Sequence, residues 1–114
     1  MSVTQHLDYD ALNSLKEVME DDFGFLIETF IQDSHERLEK LHGLVGSEDA
    51  DATRRAAHSF KGSCSNLGAL RLASLCSNVE RKALADDIIN LASDLAEIEE
   101  EFLIVKQMLF DFLT

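Results

Sequence analysis

The sequence predicts an all-α fold: an antiparallel up-and-down four-helix bundle with a short extra helix at the N-terminus. Three observations predict it. The 114 residues contain no proline, the strongest helix breaker. Apolar residues recur at intervals of three and four over most of the chain. No segment alternates apolar and polar residues as a half-buried strand does.

The elements follow in order. A short helix is expected from Asp8 to Met19, with Asp8 as N-cap and Leu12, Leu15 and Met19 on one face. A second should run from Asp21 to Val45, its stripe being Phe23, Ile27, Phe30, Ser34, Leu38, Leu41 and Val45. Gly43 and Gly46 flank the turn that follows. A third is expected from Glu48 to Asn66, with Ser47 as its cap. A fourth starts after Gly68 and carries Leu72, Leu75, Cys76 and Val79. The fifth begins at Asp86 or Asp87 and shows Ile88, Ala92, Leu95, Ile98 or Glu99, Phe102, Val105, Leu109 and Phe112. Short connections make neighbouring helices antiparallel.

Length and composition bound the rest. The chain reads as one domain, residues 1–114, long enough to bury roughly 65% of its unfolded surface. Hydrophobic residues make up 46%, ordinary for a folded protein. No apolar run reaches the roughly 20 residues of a membrane span, and MSVTQHLDYD lacks the basic and apolar regions of a secretory signal. A cytoplasmic monomer is therefore expected. Cys64 and Cys76 lack metal-ligand spacing and fall on apolar positions, so both read as buried free thiols. His6, His35 and His42 lack the companions of a site and read as solvated. No metal site is expected. The net charge of −12 excludes nucleic acid and anionic membrane as partners.

The third helix is where function separates from packing. Thr53, Ala57, Phe60, Cys64 and Leu67 share one narrow sector of the helical wheel, which must face the core. His58 lies roughly 140° from the centre of that sector and should point to solvent. Arg54, Lys61, Gly62 and Ser65 share its side. Glycine inside a helix costs about 1 kcal/mol relative to alanine, and Gly62 spends that on open space beside the imidazole. Lys61 lies on the same face, where an ammonium would help neutralise a phosphate group brought to the ring. Residues 54 to 82 hold six basic residues against the single acid Glu80, a local charge of +5 in a chain of −12. Such a basic island suits an acidic partner or a phosphate.

The stretch AAHSFKGSCSNLGALRLASLCSNVE, from Ala56 to Glu80, resembles the histidine-containing phosphotransfer (HPt) domain of multistep two-component signalling. His58, Lys61, Gly62, Ser63, Gly68, Leu75, Cys76 and Glu80 fall on the pattern of that family, and Val79 replaces its usual leucine or isoleucine. The likeness is greatest to the short, stand-alone bacterial members. It implies an antiparallel bundle with an exposed histidine in mid-helix and no ATP site. It further implies a phosphoryl group taken from the aspartate of one receiver domain and given to the aspartate of another. The partners implied are receiver domains of hybrid sensor kinases and response regulators, which supply the Mg²⁺.

Under that resemblance His58 is the phosphoacceptor, expected to react through Nε2, while Glu80 accepts the proton of Nδ1. Lys61 faces the phosphoryl oxygens and Gly62 gives access. Ser63 and Ser65 lie near the site as small polar groups. Arg54 and Arg55 are docking candidates. Phe25 and Leu26 are candidates for an apolar docking patch, because the early second helix has more apolar residues than one stripe needs. The competing expectation is a catalytically inactive adaptor that uses the same bundle to bind receiver or kinase domains.

Overall fold

The computed structural model describes residues 5–114. Five α-helices follow one another: α1 (Tyr9–Met19), α2 (Phe23–Leu44), α3 (Ala50–Leu67), α4 (Leu70–Leu84) and α5 (Leu91–Leu113), with a 3₁₀ turn at Glu20–Asp22 between the first two. Helices α2 to α5 form the predicted bundle. Contacts across it run in opposite chain directions. Phe23 meets Phe112 and His35 meets Phe102 between α2 and α5, while Arg71 meets Glu101 and Lys82 meets Asp94 between α4 and α5. Helix α1 closes one end, where Tyr9 and Lys16 both lie against Phe112.

The predicted stripes are the core. Leu12, Phe23, Ile27, Phe30, Leu38, Leu41, Phe60, Leu72, Leu75, Val79, Leu95, Ile98, Phe102, Val105 and Leu109 are all buried. Thr53, Ala57, Cys64 and Leu67 complete the inward face of α3 as the wheel requires. Burying a large apolar side chain contributes about 1.5–3 kcal/mol, so these stripes dominate the stability of the bundle. Cys64 and Cys76 are buried and free.

The boundaries differ from expectation at three places. Helix α2 begins at Phe23 rather than Asp21, because Glu20, Asp21 and Asp22 form the 3₁₀ turn. Helix α3 is capped by Asp49, not Ser47: the Asp49 carboxylate accepts the Ala52 N–H at 3.0 Å. The Ser47 hydroxyl instead donates to the Leu44 carbonyl at the end of α2. Helix α5 begins at Leu91, not Asp86 or Asp87. The N–H groups of Ala85, Asp86 and Asp87 bond back to Arg81, Ala83 and Lys82, so this stretch is still closing α4. Ile88 therefore packs on the core from a turn, and Leu91 takes the buried place expected for Ala92, which is exposed.

The α3–α4 connection sets the pairing on which the site depends. Gly68 ends α3 in the left-handed region, φ 81°. Its carbonyl accepts the Asp8 N–H at 2.8 Å, and a Cβ there would lie 3.2 Å from Asp8 Cβ. Glycine meets both demands at once. The resulting tight hairpin lays α4 antiparallel along α3.

Candidate functional site

His58 sits in the middle of α3 with its side chain 63% exposed. Its Nδ1 lies 2.7 Å from Oε2 of Glu80 on α4. The antiparallel hairpin makes this contact: twenty-two residues apart in sequence, the two side chains face each other across the α3–α4 seam. The other carboxylate oxygen, Oε1, lies 2.6 Å from Nζ of Lys61. This second contact is a meeting of charges without the alignment of a hydrogen bond. One carboxylate thus holds an imidazole and an ammonium that are one helical turn apart. The Lys61 ammonium, with a smaller contribution from His58, keeps the Glu80 carboxyl below the ordinary carboxylate range, against the opposing effect of burial.

The basic chain neighbours of Glu80 are engaged elsewhere. Arg81 donates to Asn78, and Lys82 bonds both oxygens of Asp94. The structure also adds a partner that sequence reasoning gave Lys61 no reason to have. The charge of Lys61, expected to face phosphoryl oxygens, is here answered by Glu80.

With Nδ1 bonded to an anion, the neutral ring carries its proton there, and Nε2 is left with its lone pair toward solvent. Gly62 is exposed, and a Cβ built on it meets nothing within 4 Å. The space beside the ring is therefore real. An exposed nucleophilic nitrogen, a fixed tautomer and a cation alongside are the components of nucleophilic group transfer to and from the ring.

The remaining candidates fall around this centre. Arg54 and Arg55 both pair with Asp51, at 3.1 and 3.2 Å, so neither stands alone on the surface. Ser65 is exposed on the His58 side. Ser63 is half-buried and turns toward α2, where it lines an apolar groove with Leu26, Phe30, Leu15 and Met19. Phe25 is 72% exposed near the start of α2. Arg37 of α2, which no motif singled out, donates through Nη1 to the hydroxyl of Ser59, the residue after His58.

The other histidines make pairs at or near the surface. His6 bonds Glu101 at 2.7 Å, His42 pairs with Glu99, and His35 lies 3.2 Å from Lys106 and edge-on to Phe102. Glu101 is 3% exposed and also meets Arg71. Its place three residues after Ile98 and four before Val105 was the available signal, hidden within an acidic run.

The Hpt domain family model matches residues 26–109. The chain is also similar to a crystal structure of histidine-containing phosphotransfer protein B (HptB) from Pseudomonas aeruginosa PAO1. The two share 42% identity over 93% of this chain and 92% of that one, with a TM-score of 0.89. No curated protein matches the chain.

Proposed function

The chain belongs to the Hpt domain family, and from that premise we propose that it carries phosphate on Nε2 of His58 between the aspartates of two receiver domains. Family membership makes it a histidine phosphotransfer intermediate in phosphorelay signalling. The assignment to His58 rests on one observation above all: the exposed ring whose Nδ1 is held by Glu80 at 2.7 Å.

The step balances simply. The Nε2 lone pair attacks the phosphorus of an aspartyl phosphate. The N–P bond forms, the acyl P–O bond breaks, and the aspartate leaves as a carboxylate with the bonding pair. The ring gains positive charge while Nδ1 keeps its proton, and Glu80 offsets that charge. The reverse step, onto another receiver aspartate, returns the ring to neutrality. Phosphoryl transfer has a loose transition state, so positioning and charge neutralisation do most of the work. Lys61 is placed to turn from Glu80 to the phosphoryl oxygens once these arrive. Gly62 leaves room for the receiver loop that presents them.

Glu80 is the carboxylate in contact with His58, and both its oxygens are taken, one by a cation and one by a ring nitrogen. That donor set does not suit Mg²⁺, and we assign the ion to the acidic pocket of the receiver. The protein acts as a phosphocarrier and uses no ATP of its own. It works as a monomer in the cytoplasm, with receivers of hybrid sensor kinases and response regulators as partners. The apolar groove beside Ser63, with Leu26 in its wall and Phe25 on the same early stretch of α2, is the docking patch.

Incubation with ³²P-labelled receiver domains tests this. Label should move to the chain, be lost in acid and survive base, and His58→Ala should take up none. Failure of every receiver to label the chain, with signalling unchanged by His58→Ala, would favour the inactive adaptor and defeat the reading.

A further inference from the structure

A second groove opens along the α2–α3 seam, on the flank of α3 away from Glu80. It has a volume of about 180 Å³ and is walled by Arg37, Lys40, Arg55 and Ser59, with Ala52 and Ala56 between them. Arg37 reaches across it to the Ser59 hydroxyl. Its Nε is buried and has no hydrogen-bond partner among the described residues. Lys40 is exposed. Among the described residues, Arg55 is the one cation of the three in an ion pair, with Asp51. Asp33 and Glu36 lie along the far side of Arg37 and Lys40. The small alanines leave the space between the cations open.

We propose that this groove is a subsite of the docking surface that receives a carboxylate side chain from the receiver domain. The inference rests on the phosphorelay reading. Two observations commit it to a protein carboxylate. Ser59 follows His58 directly and Arg55 lies one turn before it, so a partner lying over the ring and the α2–α3 seam covers the groove as well. The chain carries −12, so any partner surface that presents carboxylates approaches against a repulsive field. Arg37 and Lys40, in no ion pair among the described residues, supply a local attraction that the molecule as a whole lacks.

The test uses the receiver domain that exchanges phosphate with this chain in the labelling experiment. Arg37→Gln/Lys40→Gln should raise KM for the phosphorylated receiver by roughly three- to tenfold, since charges at an interface rim act mainly on association. The dependence of KM on salt, between about 0.05 and about 0.3 M, should flatten in the same variant. Lys40→Gln alone changes an exposed side chain and cannot unfold the bundle; it should show part of both effects. Lys106→Gln, on α5, is the charge control and should show neither. A KM and salt dependence equal to those of the parent in both groove variants would overturn the proposal. So would inorganic phosphate at millimolar concentration shifting the Arg55 and Ser59 amide resonances while KM stays unchanged, because the groove would then be a site for free anions. A parent chain that exchanges with no receiver defeats the phosphorelay reading itself; a parent that exchanges while the variants match it defeats only this inference.

Discussion

Oε2 of Glu80 lies 2.7 Å from Nδ1 of His58, across a seam between two helices joined by only two residues. The contact fixes which ring nitrogen holds the proton and aims the other at solvent. It also couples the His58 ring to the α3–α4 hairpin, so the geometry of the candidate site depends on the register of that hairpin. The first prediction follows. Glu80→Ala should slow transfer roughly 10- to 100-fold, since a hydrogen bond to a charged group contributes about 1.5–3 kcal/mol and each 1.4 kcal/mol is a factor of ten. Glu80→Gln keeps an acceptor at the same place and should lose much less. Single-turnover transfer rates, with ¹⁵N chemical shifts of the His58 ring reporting the tautomer, separate the two.

The same carboxylate supplies a pH prediction. Glu80 is held below its ordinary pKa of 4.5, first by Lys61 and then by His58. A depressed carboxylate contributes stability that is fully present above its unfolded value and is lost as pH falls through the folded one. The α3–α4 clasp should therefore persist at pH 4.5 and open only at lower pH. Carboxyl ¹³C shifts should place the Glu80 midpoint below 4.5 in the parent chain. Lys61→Gln should move that midpoint upward, and no movement would sink the assignment of Lys61 as the main cause.

Much of this was legible in the sequence for a simple reason. Helical phase alone placed Thr53, Ala57, Phe60, Cys64 and Leu67 inward and His58 outward, because an α-helix has one period and a bundle has one inside. The family pattern then pointed to Glu80. The ends of helices were less legible. Ser47 and Asp49 are both good caps by type, and only the backbone decides which carboxylate or hydroxyl meets a free N–H. At α5 the apolar pattern ran on through Ile88, yet the chain there was still satisfying the carbonyls of α4. Long-range polar partners were the least legible of all. In the sequence Glu101 is one acid in a run of three, and Arg37 one charge in a polar stretch of α2. Their neighbours lie 95 and 22 residues away, at distances set by packing that no local pattern encodes.

Gly62 should show a conflict between stability and function. A Cβ there meets nothing within 4 Å, so Gly62→Ala should stabilise the protein by about 0.5–1 kcal/mol through helix propensity alone. Gly62→Leu should fold equally well and lose transfer, because the side chain occupies the approach to Nε2. Urea denaturation and phosphoryl transfer measured on the same samples check both halves. A Gly62→Leu chain that transfers at the parent rate would show that the open space has no role.

Gly68 makes the opposite prediction. Its φ of 81° and the 3.2 Å approach of Asp8 Cβ leave no place for a side chain. Gly68→Ala should destabilise the fold by roughly 1–2 kcal/mol. It should also loosen the Asp8 N–H to Gly68 carbonyl bond that ties the N-terminal segment to the hairpin. Denaturation midpoints and exchange protection of the Asp8 amide measure the two effects.

Glu101 is 3% exposed, while its partners His6 and Arg71 are 36% and 40% exposed. That asymmetry decides which deletion costs more. Removing the acid frees two groups that can turn to water, and leucine at position 101 adds apolar burial beside Ile98 and Val105. Glu101→Leu should therefore change stability by no more than about 1 kcal/mol. Removing both partners leaves a carboxylate buried and unpaired, and His6→Ala/Arg71→Ala should cost about 3 kcal/mol. The order of the two variants in urea denaturation is the test. If Glu101→Leu proved the more damaging, the cluster would be a net source of stability rather than a means of satisfying one buried acid.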